Sequence, residues 1–185
     1  MPDLDDALRA AQAGDPHGYA QLWRALQPAV LRYLRVVIGD HAEDAASETW
    51  LHVIRDLDRF HGDLTAFRGW LFRIARHRAL DEKRRRSRTP TTPGTDLEPP
   101  ARPADLDALE DEGTAWALSL IATLPTDQAE AVMLRVVAGL DVTTTAHILG
   151  KRPGAVRIAT MRGLRRLATH PQINARTTSV AAEEV

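Results

Sequence analysis

The sequence has 185 residues and contains no cysteine. This absence excludes a disulfide framework and zinc sites built on cysteine, and it suits a protein of a reducing cytoplasm. The chain also has no apolar run near the ~20 residues that a membrane span needs, so no membrane insertion is expected. The N-terminal stretch MPDLDDALRAAQAGD is acidic and has no apolar centre, unlike a secretory signal. We therefore expect a cytoplasmic protein.

The net charge of −1 gives no overall excess of either sign, but the charges are unevenly distributed. Basic residues dominate from 68 to 88, where only Asp81 and Glu82 oppose them. An acidic stretch follows, and from 142 to 182 there is no Asp or Glu at all. Either basic block alone is explained as well by a solvated helix face as by an anion-binding surface. Two such blocks around an acidic one indicate two anion-binding modules, for which nucleic acid is the usual ligand.

Helical periodicity dominates, and no segment shows convincing strand alternation, which predicts an all-α fold. Asp15 is expected to cap the second helix, and Pro28 to kink it. Residues 60–66, FHGDLTA, break the pattern and predict a loop between the third and fourth helices. The third helix has an apolar stripe made of Ala46, Trp50, Val53 and Leu57. The fourth helix is predicted to bury Phe67, Trp70, Leu71, Ile74 and Leu80.

Proline content divides the chain into two parts. Residues 87–105, SRTPTTPGTDLEPPARPAD, contain five prolines and a single large apolar residue, Leu97, so they cannot fold alone. We interpret them as a Pro-rich acidic linker. It joins an N-terminal domain, 1–86, to a C-terminal domain, 106–170, and residues 171–185 are expected to form a mobile tail.

The C-terminal part contains a helix-turn-helix pattern. Its first helix is expected to run from Leu106 to Leu124. Thr126 is expected to cap the next helix, with Val132, Met133, Val136 and Val137 directed inward. Asp141 is placed as the cap of a short helix that ends near Leu149, and Gly150 makes the turn. Pro153 opens an arginine-rich second helix. Two small helical domains, the second with this motif, make up the predicted architecture.

Two classes of function compete for these features. Asp44, Glu48 and His52 recur at four-residue spacing on one face of the third helix. A metal-dependent hydrolase would use them as ligands, but no third strong ligand is evident, so neither a metal nor a cofactor is expected. A stand-alone repressor would use the helix-turn-helix, although it has no need of an acidic face. A solvated surface is the plainest interpretation of that face.

Five segments, in order around the linker, resemble the extracytoplasmic-function group of sigma-70 RNA polymerase sigma factors. They are AQAGDPHGYAQLW, HAEDAASETWLHVIRDLDRF, FRGWLFRIARHRALDEKRRR, LPTDQAEAVMLRVVAGL and AHILGKRPGAVRIATMRGLRRL. The resemblance implies a transcription initiation factor without catalytic residues, which directs core polymerase to promoters and helps to melt the minus-ten region. Its implied partners are the largest and second-largest subunits of core RNA polymerase, promoter DNA in double- and single-stranded form, and an anti-sigma factor.

The resemblance also implies roles for individual residues. The polymerase-binding residues would be Asp44, Ser47, Glu48 and His52. The minus-ten DNA would be met by His61, Gly62, Asp63, Arg76, His77, Lys83, Arg84 and Arg85. The minus-thirty-five DNA would be met by Arg152, Pro153, Gly154, Arg157, Ile158, Met161 and Arg162. The chain departs from common family residues at Ser47, His77, Thr144 and Ala159, which implies altered docking strength or base preference.

Overall fold

The structure, a computed structural model, describes residues 3–88 and 112–173. All regular elements within these ranges are helical, so the predicted all-α class is confirmed. The first range contains helices α1 (Leu4–Gln12), α2 (Pro16–Ile38), α3 (Ala42–Asp56) and α4 (Leu64–Arg88). The second range contains α5 (Glu112–Ala122), α6 (Thr126–Val132), α7 (Val142–Leu149) and α8 (Pro153–Ala168).

The start of α2 follows the sequence prediction. Asp15 accepts a hydrogen bond from the His17 amide at 2.9 Å, and Pro16 occupies the first turn, where its missing N–H is not needed. The helix then continues through Pro28 to Ile38 as one element. It carries Tyr33 and Leu34, which are fully buried and form the centre of the first helical unit.

The core between α2, α3 and α4 contains both predicted and unexpected side chains. The α3 stripe is buried as predicted, and Phe67, Leu71 and Ile74 of α4 are buried too. Phe72 was missed, yet it is fully buried and meets Tyr33 edge to face, with ring centroids 5.8 Å apart. In contrast, Trp70 and Leu80 are only half-buried.

The predicted loop 60–66 is too long, because α4 already begins at Leu64. Asp63 acts as the helix cap: its Oδ1 accepts from the Ala66 amide at 2.8 Å, and its carbonyl accepts from Phe67. An aspartate immediately before an apolar helical run is a common capping signal. The loop is therefore confined to residues 60–63. At its far end α4 includes Ser87 and Arg88, which had been assigned to the linker.

Helix α6 differs from the prediction at both ends. Thr126 is the first residue of the helix and not its cap. The cap is Pro125, whose carbonyl accepts hydrogen bonds from the amides of Gln128 and Ala129. At Met133 the backbone continues as a π-helix to Val137. A π-turn holds an extra residue, so the inward face shifts along the chain. Leu134 is fully buried, whereas Val136 is 55% exposed, and its predicted inward position is wrong.

The helix-turn-helix is present as predicted. Asp141 Oδ1 accepts from the amides of Thr143 and Thr144, at 2.7 and 2.9 Å, and so starts α7. Gly150 has φ +63°, the left-handed conformation that ends a helix most easily at glycine, and Pro153 begins α8. The linker prediction for 89–105 and the helix start at Leu106 lie outside the described residues, as does the tail from 174 onward.

The two helical units pack against each other. Helix α2 contacts α5 and α6, and α4 contacts α7. Buried apolar side chains from both units belong to one continuous cluster. Side-chain hydrogen bonds also cross the junction: Arg68 donates to the Ala138 carbonyl, and Tyr33 and Arg76 donate to the Glu130 carboxylate.

We predict that Gly18→Ala destabilises the first unit by about 1–3 kcal/mol through overpacking. A Cβ at Gly18 would lie 2.7 Å from the Ala11 amide nitrogen and 2.7 Å from the Ala7 carbonyl oxygen, both of them backbone atoms of α1. Urea unfolding followed by circular dichroism measures the effect. Gly154→Ala in α8 is the control, because an added Cβ there meets nothing within 4 Å. Equal stability of the two variants would contradict the close approach of α1 and α2.

Candidate functional site

The acidic face of α3 is exposed as predicted. Asp44, Ser47 and Glu48 all face solvent, and Glu48 approaches Arg78 of α4 at 3.9 Å. His52 differs, because it is only partly exposed and its Nε2 lies 3.1 Å from Asp56 Oδ2. Burial and the neighbouring Arg55 lower the pKa of His52, although Asp56 acts in the opposite direction. His52 is therefore engaged within α3 itself.

Two large apolar side chains on the same side of α3 were missed. Leu51 is 65% exposed and Ile54 is 55% exposed. They lie three residues apart, so they are neighbours on the helix surface. The signal was available in the sequence, because neither residue belongs to the buried stripe of Ala46, Trp50 and Val53. With Asp44 and Glu48 they form what we call the α3 face: two exposed carboxylates followed along the helix by two exposed apolar side chains.

The metal-site alternative finds no support in this geometry. Within residues 3–88 and 112–173, no group of three or more His, Asp or Glu side chains is arranged to hold a metal ion. Asp44 and Glu48 line a small groove together with Arg78 and Arg85, which are cationic. Positive side chains of this kind compete with a metal ion for the carboxylates.

The loop before α4 is small and tightly built. His61, Gly62 and Asp63 are exposed, and Gly62 has φ +151°, a conformation that other residues rarely adopt. Phe60 stacks on Trp70 with centroids 5.0 Å apart and planes inclined by 23°. Gln12 of α1 donates to the Phe60 carbonyl at 2.7 Å. The loop is therefore held against both α1 and α4.

A cavity of about 740 Å³ opens beside this loop. One wall is formed by Phe60, His61 and Trp70, together with the cations Arg59 and Arg73. The opposite wall comes from the second unit and contains Thr143, Thr144, His147 and Ile148 of α7. Aromatic rings beside guanidinium groups suit a nucleobase and its phosphate. Trp70, predicted as core, thus has one side in the core and another on this cavity.

The basic end of α4 is divided between solvent and the junction of the two units. His77, Arg84 and Arg85 are exposed, and Lys83 is half-buried. Arg84 and Arg85 pair with acidic residues one turn earlier in α4, at 3.4 and 2.6 Å. Arg76 has a side chain only 18% exposed, and it pairs with Glu130 of α6. The structure thus places Arg76, one of the basic residues predicted to meet the minus-ten DNA, at the junction of the two units.

The exposed face of α8 collects the residues predicted for a second DNA site. Arg157, Ile158, Met161 and Arg162 face solvent, and Arg152, Pro153 and Gly154 are exposed at the start of the helix. The N-terminal amides of α8 have no side-chain cap. The opposite face packs on α6 through Val156, Ala159 and Gly163. Ala159 is 7% exposed and belongs to the core, so its own side chain does not face solvent, and the effect of this departure on base preference stays a prediction.

A charged side chain caps the start of α7, the helix that precedes α8. The hydrogen bonds that Asp141 receives from the Thr144 hydroxyl and from two backbone amides lower the pKa of its carboxyl. The helix start is held by a charged cap, because the carboxylate accepts these bonds most strongly when ionised.

The sequence matches two protein families in the order that this architecture requires. Residues 22–89 match Sigma-70 region 2, and residues 114–167 match Sigma-70 region 4. The first match covers most of α2 to α4, and the second covers most of α5 to α8. The chain is therefore an RNA polymerase sigma factor of the sigma-70 class.

Individual relatives narrow the assignment of the chain within the sigma-70 class. The ECF RNA polymerase sigma factor ShbA of Streptomyces griseus is 36% identical over 173 residues, 86% of this chain and 91% of the relative. The ECF RNA polymerase sigma factor SigD of Mycobacterium tuberculosis is 33% identical over 174 residues, 89% of this chain and 82% of the relative. The chain belongs to the ECF group of sigma factors.

Solved structures agree in fold. The structure of CnrH in complex with the cytosolic domain of CnrY matches with a TM-score of 0.62 and 21% identity, over 94% of this chain and 99% of that chain. The sigma factor RpoE of Bartonella quintana, in complex with the anti-sigma factor NepR, matches with a TM-score of 0.60 and 23% identity, over 80% and 93%. The helical architecture is thus that of known sigma factors.

Membership of this family establishes the function in outline. The chain is a transcription initiation factor that binds RNA polymerase and promoter DNA and directs the polymerase to promoters. A stand-alone repressor is disfavoured, because both sigma regions are present in order. Within the part of the chain that the structure describes, no helix has the length and apolarity of a membrane span.

Proposed function

We propose that the α3 face binds the largest subunit of core RNA polymerase. The observation that carries this proposal is the exposure of Leu51 and Ile54 next to the exposed carboxylates of Asp44 and Glu48 on one side of α3. Apolar side chains within a polar rim are typical of protein interfaces, and the carboxylates favour a partner rich in arginine. Ser47 lies on the same face, and His52 lies at its edge beside Asp56. Co-purification with core polymerase tests this assignment.

We propose that the loop and α4 capture the opened minus-ten region. The cavity offers Phe60 and Trp70 for stacking and Arg59 and Arg73 for phosphates, with His61 exposed at its mouth. Promoter opening requires an unpaired base to leave its stack and the phosphates of its strand to be neutralised. Aromatic rings stack on such a base, and guanidinium groups neutralise the phosphates. Arg76, His77, Lys83, Arg84 and Arg85 of α4 would follow the strand or the upstream duplex. Gly62 and Asp63 serve chiefly to build the loop.

We propose that α8 enters the major groove at the minus-thirty-five element. Its exposed face presents Arg157, Ile158 and Met161 to bases, and Arg162 to a phosphate. Uncapped amides at the start of α8 meet a second phosphate, beside Arg152, Pro153 and Gly154. This arrangement requires the predicted domains, 1–86 and 106–170, to act as separate modules, joined by residues that follow the end of α4 at Arg88.

The protein supplies recognition, and the polymerase supplies the chemistry, so we assign no catalytic residue or cofactor to this chain. We place it in the cytoplasm with the polymerase. An anti-sigma factor as a partner stays a prediction. It is supported only by fold-level likeness to a sigma factor described in complex with one. Run-off transcription with core polymerase, followed by mapping of start sites, tests the whole assignment.

We predict that Asp44→Arg with Glu48→Arg abolishes co-purification with core polymerase, because reversed charges repel an arginine-rich partner. Circular dichroism checks that the helices survive. The matched control is Asp6→Arg with Asp40→Arg, which changes the net charge equally at exposed carboxylates off the α3 face. Undiminished binding of the first variant would remove the docking assignment.

We predict that His61→Ala slows promoter opening while polymerase docking and duplex binding persist. Stacking on a base is worth about 1–3 kcal/mol, so permanganate footprinting should show fewer reactive thymines. A template with a pre-melted bubble should restore transcription. His17→Ala, an exposed histidine of α2, is the control. If the pre-melted template does not restore transcription by the His61→Ala variant, the loop only connects α3 to α4 and has no part in promoter opening. Gly62 and Asp63 are left intact, because the fold needs both.

We predict that Arg157→Ala weakens promoter binding by about 1–3 kcal/mol if the side chain reads a guanine. If it meets only phosphate, the loss is uniform across sequences and the salt slope falls by about one unit. Fluorescence anisotropy with wild-type and altered minus-thirty-five duplexes separates the two. Arg24→Ala in α2 removes the same charge elsewhere and serves as the control. Unchanged affinity at every duplex would place recognition outside α8.

A further inference from the structure

The exposed face of α8 carries two large apolar side chains, Ile158 and Met161, which we call the α8 strip. Ile158 is 47% exposed and Met161 is 43% exposed. An α-helix turns about 100° per residue, so these side chains lie about 200° and 140° around the axis from Val156, which is fully buried. The α8 strip therefore stands opposite the face of the helix that packs on α6.

Arginines border the α8 strip on both sides. By the same helical geometry, Arg157 lies about 100° and Arg162 about 240° around the axis from Val156, and both are exposed. Helix α8 contains four arginines and no acidic residue. The exposed surface of α8 thus has an apolar centre and cationic edges. Such a surface fits a polyanion that presents an apolar group between two rows of phosphates, as duplex DNA does in its major groove.

Thymine is the base that offers an apolar group in the major groove of DNA. It carries a C5 methyl there, whereas the other three bases present hydrogen-bond donors and acceptors. An isoleucine or methionine side chain placed against those polar groups would displace their water and offer no hydrogen bond in return, which costs free energy. Against a thymine methyl, the same side chain buries apolar surface and is stabilised by doing so. An apolar strip in the groove therefore favours T·A pairs.

We propose that Ile158 and Met161 select thymine in the minus-thirty-five element through contact with its C5 methyl group. The arginines at the edges of the strip hold α8 in the groove, and the strip discriminates between bases. A cytosine methylated at C5 carries its methyl at the corresponding place, so the strip also distinguishes 5-methylcytosine from cytosine. This inference rests on the minus-thirty-five assignment proposed above.

Deoxyuridine in place of thymidine tests the contact directly, because it removes the methyl group and keeps the base pairing and the charge of the duplex. The probe is a promoter fragment identified by start-site mapping, and the protein is the full chain bound to core polymerase. Each thymine of the minus-thirty-five segment, on both strands, is replaced in turn, and affinity is measured by fluorescence anisotropy. We expect at least one replacement to weaken binding about fourfold, since burial of one such group contributes about 0.8 kcal/mol. Replacements between the two promoter elements are the control and should have no effect.

Variants of the strip identify the side chain that makes the contact. In Ile158→Ala or Met161→Ala the apolar partner of the methyl is removed, so in one of the two variants deoxyuridine at the sensitive position should weaken binding less than twofold. Leu164→Ala is the matched control and should keep the fourfold loss. Leu164 is also 43% exposed, but it lies about 80° around α8 from Val156 and so to one side of the strip. Exchange of the sensitive T·A pair for C·G should weaken binding, and 5-methylcytosine in that pair should recover about fourfold.

The remaining outcomes separate this inference from the assignment on which it rests. Affinity unchanged by every deoxyuridine would overturn the inference, as would an equal loss in wild type and both strip variants, no recovery by 5-methylcytosine, or a minus-thirty-five segment without thymine. If Ile158→Ala and Met161→Ala impair assembly with core polymerase and deoxyuridine has no effect, the strip is a protein-docking surface and the inference is overturned too. A scrambled minus-thirty-five segment tests the assignment itself, because undiminished binding to it would contradict the placement of α8 in the groove.

Discussion

The carboxylate of Glu130 is the group on which the arrangement of the two helical units depends. A carboxylate taken out of water is expensive unless its oxygens are hydrogen-bonded and its charge is compensated. Its hydrogen-bond donors are Tyr33 and Arg76, and both belong to the other unit. If the two units separated, Glu130 would be solvated, and Arg76 would need another anionic partner.

Helix α4 contributes to the core of the first unit, to the junction of the two units and to the proposed minus-ten surface. Its apolar face, with Phe67 and Leu71, belongs to the core of the first unit. Arg68 and Arg76 reach the second unit, and the arginines near the end of α4 are exposed and belong to the proposed minus-ten surface. One helix can hold these roles because side chains at different angles around its axis meet core, junction and solvent. The apolar first part of α4 and its cationic end therefore make different contacts from one and the same helix.

Several features of the fold were predictable from short stretches of sequence. Asp15, Asp141 and Gly150 end or begin helices through hydrogen bonds and dihedral angles that involve only their immediate neighbours. The buried stripe of α3 follows from a regular helical period. The missed cap at Asp63 was equally local, and the rule that identifies Asp15 identifies it as well. By contrast, the π-helix after Met133 breaks the period, which is why Leu134 and not Val136 is buried.

The sequence alone determined the helical class and the helix-turn-helix, because these depend on local spacing and composition. Its resemblance to sigma factors implied the order of the two regions and the residues that we propose for the polymerase and DNA surfaces. Only the tertiary structure decided which of those residues are accessible. Arg76 and Glu130 are 54 positions apart, and nothing local to either one signals their contact. Leu51 and Ile54 are exposed only because the core is complete without them. Exposure and long-range pairing depend on how helices pack, and packing is a property of the whole chain.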